Sequence, residues 1–92
     1  MARWPSKDPN EFLDYQLDWS RRLDAGDTIV AATFSLAEAA GTTIASQSFS
    51  GTTATVWLSG GTAGEEAEIL CRIETAGGRV MDQSVRLAIV ER

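Results

Sequence analysis

The chain crowds carboxylates into its first third: Asp8, Glu11, Asp14, Asp18, Asp24 and Asp27. Two carboxyls can share acid and base work in glycoside cleavage, and clustered side-chain oxygens can hold calcium. Neither chemistry is well served here. Asp14 and Asp18 fall on the polar side of an alternating segment, so both are expected on the outer face of a strand. There they stay solvated and ionised, with nothing to shift a pKa. No stretch resembles an Asp-x-Asp-x-Asp-Gly calcium loop. A solvated face, or salt bridges with Arg21, Arg22 and Lys7, is preferred to a metal site or a catalytic pair.

Other candidates narrow in the same way. The chain has no His, which excludes a Ser-His-Asp triad, a Cys-His pair and His-ligated metal. The glycine-rich run Gly60-Gly61-Thr62-Ala63-Gly64 lacks a following Lys-Ser or Lys-Thr and opens a strand, whereas a phosphate cradle needs helix N-terminal amides and a basic residue. It reads as a turn. Cys71, the single cysteine, lies on an apolar strand face with Ile69 and Ile73 and reads as a small buried hydrophobe, with Arg72 on the other face. Trp19, Phe34, Phe49 and Trp57 read as core or inter-sheet packing, because no basic residues are interleaved among them as in a base-stacking platform. No catalytic residue, cofactor or metal is expected.

These side chains belong to one small domain. Ninety-two residues with 43% hydrophobic and 23% charged content match soluble globular chains. One cysteine excludes an intramolecular disulfide. A net charge of -5 argues against nucleic acid, whose binding draws on counter-ion release by Lys and Arg. The N-terminus lacks the apolar stretch of a secretory signal. Runs such as Ile29-Val30-Ala31-Ala32 and Leu87-Ala88-Ile89-Val90 are too short to span a bilayer. Synthesis and folding in a reducing cytoplasm, away from membranes, is the expectation.

The elements read as strands. Leu13, Tyr15, Leu17 and Trp19 alternate with Asp14, Gln16, Asp18 and Ser20. As a helix, residues 11–23 would scatter their apolar side chains around the axis, so the strand is preferred. Strands follow from Thr28 to Leu36, with Val30, Ala32, Phe34 and Leu36 on one face, from Thr43 to Phe49 and from Thr53 to Leu58. Another carries Ala67, Ile69, Cys71 and Ile73 on its apolar face. The last runs from about Val80 to Val90, with Met81, Val85, Leu87 and Ile89 inward. Turns at 24–27, 38–41, 50–52, 59–64 and 76–79 separate them. Six or seven short strands at this spacing predict an all-β immunoglobulin-like β-sandwich over residues 12–92. Residues 1–11 read as an extended N-terminal arm, because Pro5 and Pro9 disfavour a helix and Arg3, Lys7, Asp8, Asn10 and Glu11 offer no core face. Trp4, its one large apolar group, either folds back onto its own domain or docks in a neighbouring subunit.

The run Lys7-Asp8-Pro9-Asn10-Glu11-Phe12-Leu13-Asp14-Tyr15-Gln16-Leu17-Asp18-Trp19, with Arg22-Leu23 and Gly26-Asp27-Thr28-Ile29 after it, resembles the opening of the small bacteriophage fibre–tail adaptor proteins. Residues 49–64 look like the middle of the same family and Arg72 to Arg79 like its ending. At Glu65-Glu66-Ala67-Glu68 the chain departs from the Thr or Tyr expected of relatives, which makes that outer face more acidic. The resemblance implies a non-enzymatic structural protein of a tailed-phage virion, made in the bacterial host cytoplasm. Its implied partners are other tail, connector or capsid proteins, with further copies of itself as a homo-oligomer in the particle. The expected contact residues are Trp4, Pro5, Lys7 and Asp8 in the arm, linking one subunit to the next. Asp14, Asp18, Arg21 and Arg22 are expected to set electrostatic register. A capsid decoration or head–tail junction subunit is the nearest alternative. A soluble carbohydrate-binding module, stacking sugar on Trp57 or Trp4, comes after it, and an uncatalogued hydrolase last.

Overall fold

Period-two alternation cut by glycine turns leaves no helical stripe to bury, and the described chain is built from strands. A computed structural model describes residues 2–91. Seven strands run in chain order: β1 (Ala2–Arg3), β2 (Leu13–Asp18), β3 (Ile29–Glu38), β4 (Thr42–Ser50), β5 (Thr53–Gly60), β6 (Glu66–Thr75) and β7 (Val80–Ala88). They form two sheets, ordered β1-β7-β6-β3 and β2-β5-β4, stacked as an immunoglobulin-like β-sandwich. The six longer strands stand where alternation places them. The seventh, β1, lies inside the segment expected to be an arm.

Local chemistry sets the turns. β4 and β5 form a hairpin whose two-residue loop has Gly51 at φ 60 followed by Thr52, the pattern of a type II′ turn. The four residues 76–79 join β6 to β7. Gly77 there passes so close to Asp27 that a Cβ would sit 3.0 Å from the carboxylate, while its N–H donates to Asp27 Oδ1 at 2.9 Å.

The core is the shared inner face: Tyr15, Trp19, Ile29, Phe34, Ala54, Val56, Leu58, Ala67, Ile69, Cys71, Ile73, Leu87 and Ile89. Two expectations need correction. Val30, expected inward with Phe34, is 54% exposed, and Ile29 is buried in its place. A register shift between Ile29 and Ala31 causes this, since one extra residue reverses the faces of the strand before it. Phe49 and Trp57, expected as core, are 42% and 36% exposed. Trp57 pairs with Asp14 on the outer face of its sheet, and Phe49 sits on the edge strand β4.

Residues 2–11 close one flank of the sandwich. Ala2 and Arg3 pair in parallel with Val85 and Arg86, and the N–H of Trp4 donates to the Arg86 carbonyl at 3.0 Å. Further along, the N–H of Lys7 donates to the Ala88 carbonyl, and the Lys7 carbonyl accepts from Val90 N–H. The reading of Lys7 as offering no core face is corrected: the residue is fully buried. Its Nζ donates to the carbonyls of Gly60 at 2.6 Å and Asp8 at 3.0 Å. Those two bonds explain how a charged group is held inside. Burial lowers the Lys7 pKa from its ordinary 10.5, while Glu11 and Asp8 act to raise it. Gly60 itself stands at φ 74, where an added Cβ would lie 2.9 Å from the Gly41 carbonyl.

Lys7→Met keeps the apolar stem and removes a donor from two carbonyls. It is expected to lower unfolding stability by about 1–3 kcal/mol in urea titrations, the cost of removing one partner from buried polar groups. Lys7→Ala, which adds a cavity, loses more.

Candidate functional site

Docking residues 2–11 on the sandwich creates a shallow groove of about 520 Å³ between that segment and β2. It is lined by Trp4, Pro5, Ser6, Leu13, Asp14, Tyr15 and Gln16. Alternation in β2 explains its shape. Tyr15 points inward and reaches the segment with its tip, its hydroxyl donating to the Pro5 carbonyl at 3.0 Å. Asp14 and Gln16 point outward and stay exposed. Trp4 stacks on Tyr15 with centroids 4.8 Å apart and an interplanar angle of 18°. Its Nε1 donates to the Gln16 carbonyl at 3.1 Å. Of the two readings for Trp4, this chain adopts the fold back onto its own domain, leaving the indole half-buried.

The eight residues singled out from sequence thus separate into three places. Trp4, Pro5 and Asp14 meet at the groove. Lys7 and Asp8 lie beneath the surface: Asp8 Oδ1 accepts from Asn10 N–H at 2.8 Å, and Asp8 N–H donates to Glu11 Oε1 at 2.8 Å. Asp18, Arg21 and Arg22 sit at the far end of β2. There Asp18 Oδ1 accepts from Ser20 N–H at 2.9 Å. That bond, with the Ser20 hydroxyl and nearby Arg21, holds the Asp18 pKa below its ordinary 3.8 against partial desolvation, which corrects the expectation that nothing there shifts a pKa. The Arg22 guanidinium lies 4.9 Å from the Trp19 ring centroid. It donates to the Asp82 carbonyl at 3.2 Å and to Gln83 Oε1 at 3.3 Å, so it caps the end of the core.

Asp14 and Asp18 lie exposed, as a solvated face requires, and charge pairs form elsewhere too. Arg79 pairs with Asp24 at 2.9 Å, Arg72 with Asp82 at 2.8 Å, and Arg3 and Arg86 grip Glu66 at 2.7 and 2.9 Å. Arg86 also reaches Glu68 at 3.5 Å. Glu66, in the acidic run at residues 65–68, therefore supplies the carboxylate that links β1 to the sheet. Sequence reasoning missed Tyr15, Gln16 and the stacked pair Phe12–Trp57, centroids 5.2 Å apart. Each depends on how the N-terminal segment docks on the strands, and Phe12 with Trp57 joins parts far apart in the chain. Among the described residues no group of three or more His, Cys, Asp or Glu side chains is placed to hold a metal.

Two consequences are measurable. Hydrogen bonds from Arg3 and Arg86 lower the Glu66 pKa from 4.5, and those from Arg72 lower the Asp82 pKa from 3.8. Such carboxyls stabilise the fold fully above their unfolded values and lose that contribution as pH falls through the lower folded values. Melting temperature is expected to hold near neutrality and to fall on acidification below pH 4.5, read by circular dichroism. The Cys71 thiol, pushed up to about 11 by burial although the Trp19 indole acts the other way, is expected to resist iodoacetamide at pH 8 until the chain is unfolded.

Comparison with known families places this geometry. Residues 7–88 match the profile of a family described as "Podophage GP4 fiber-tail adaptor protein gp77". The search of curated proteins found no match.

Proposed function

The chain belongs to the podophage fibre–tail adaptor family, and from that premise we propose that it is a non-enzymatic adaptor of a phage tail that engages another virion protein along the groove between the N-terminal segment and β2. The observation that carries this reading is the extent of the match, which begins at Lys7, runs through both sheets and ends at the last residue of β7. The groove supports the choice of surface. It joins a half-buried aromatic to a proline and an exposed carboxylate, a combination of apolar anchor and charged rim that suits a protein partner. Asp18 and Arg21 extend the same edge with exposed charges that choose partners more than they add affinity. Trp4, tied to its own sandwich, presents a preformed surface. Trp57 favours sugar less than its exposure suggests, because Phe12 already stacks on the indole.

Gold-labelled antibody imaging of purified particles tests the role. Label at the tail is expected. Label over the capsid replaces the adaptor with a decoration or head–tail junction subunit, and protein left in the lysate turns the reading to a soluble module. Asp14→Arg tests the surface. The substitution lies on an exposed position, so the circular dichroism spectrum and melting temperature are expected to stay unchanged while incorporation into particles falls several-fold. Full incorporation moves the partner surface away from the groove.

A further inference from the structure

The sandwich has four sheet edges, and three are protected. β1 is two residues long, and its Arg3 is paired with Glu66. β2 is covered by the Trp4 indole on the Gln16 carbonyl and by Pro5 beside it. β3 is bulged in two places, and its Phe34 N–H is taken by Gln47 Oε1 at 2.7 Å. The fourth edge, β4, runs for nine residues, Thr-Thr-Ile-Ala-Ser-Gln-Ser-Phe-Ser. It has one register shift, between Ile44 and Ser46, and no Pro, Lys or other charge. Natural sheets blunt such edges because their open amides and carbonyls recruit another strand.

Charge narrows the occupant. A chain of net charge -5 repels its own copies. Between Asp27 and Glu65, however, Glu38 is its only charged residue. The flank made by β3 and β4 is therefore where two copies approach with the least repulsion. The strand is also self-complementary. The two-residue turn after Ser50 makes Ser50 and Thr53 a bonded pair, so Ser48 and Ser46 also bond to β5 and the backbone groups of Phe49 and Gln47 face outward. An antiparallel copy centred on Gln47 sets Gln47 opposite its symmetry mate, Ser46 opposite Ser48, and Ala45 opposite Phe49, with no like charges facing. Phe49 on β4 and Val30 on β3 are 42% and 54% exposed on this flank.

We propose that β4 is a homodimerisation edge, pairing antiparallel with β4 of a second copy about Gln47 so that the three-stranded sheets join across an isologous contact. The interface stands on edge geometry and is independent of which virion protein the groove engages.

Sedimentation of the full chain from micromolar to millimolar concentration tests it. A monomer–dimer equilibrium is expected for the unmodified protein. Ser46→Lys with Ser48→Lys sets lysines opposite each other and is expected to abolish the dimer. Mixing that variant with one carrying Ser46→Glu and Ser48→Glu restores it, since every lysine then faces a glutamate. Hydrogen exchange on the unmodified protein adds a readout that needs no variant: the Gln47 and Phe49 amides are expected to slow as concentration rises. A monomer throughout the range, a lysine variant that still dimerises, a mixture that stays monomeric, or concentration-independent exchange at those amides overturns the proposal.

Discussion

One buried ammonium organises the molecule. Lys7 sits where the N-terminal segment, the end of β5 and the end of β7 converge, with Nζ on the Gly60 and Asp8 carbonyls and its backbone on Ala88 and Val90. Gly60 ends a strand of the three-stranded sheet, and Ala88 ends a strand of the four-stranded one. A single residue therefore ties both layers at one corner. A charge without partners would be expelled from such a place. Carbonyl oxygens left over at strand ends are the partners that make its burial tolerable. The glycines answer to the same corner, since Gly60 can present its carbonyl there only because no Cβ meets the Gly41 carbonyl.

That corner divides the sandwich into unlike flanks. On one side Trp4 donates its backbone N–H to β7 and its indole to β2, bridging the two sheets, and the Arg3–Glu66–Arg86 cluster lies beside it. On the other side the Gln47 side chain crosses from β4 to accept the Phe34 N–H of β3. One flank is aromatic, charged and covered. The other is hydroxyl-rich and nearly uncharged. The two flanks therefore present different chemistry to their surroundings.

Much of the fold was legible in the residues. Ala67, Ile69, Cys71 and Ile73 alternate cleanly and are all fully buried. Tyr15 and Trp19 entered the core as their spacing predicts, and the glycine turns fell between the strands. Alternation failed where a local irregularity reversed it, as at Val30 before the bulge, and where a strand lay at an edge or faced outward, as at Phe49 and Trp57. Composition marked residues 1–11 as proline-containing and extended. It could not show that an extended segment finds unpaired backbone groups on β7 and adds to the sheet.

Of the candidate site, the side-chain types were readable and their grouping was not. Trp4, Pro5 and Asp14 stand out by type, yet Lys7 and Asp8, equally prominent, turned inward. The sequence by itself determined the strand class, the turn positions, the exclusion of histidine chemistry and the inertness of Cys71, because each follows from local periodicity or from which residue types are present. Tertiary structure alone decided which charges pair, that the single lysine is buried and which edge stays open. Those outcomes depend on leftover hydrogen-bonding groups at strand ends and edges, and their positions exist only once both sheets have formed.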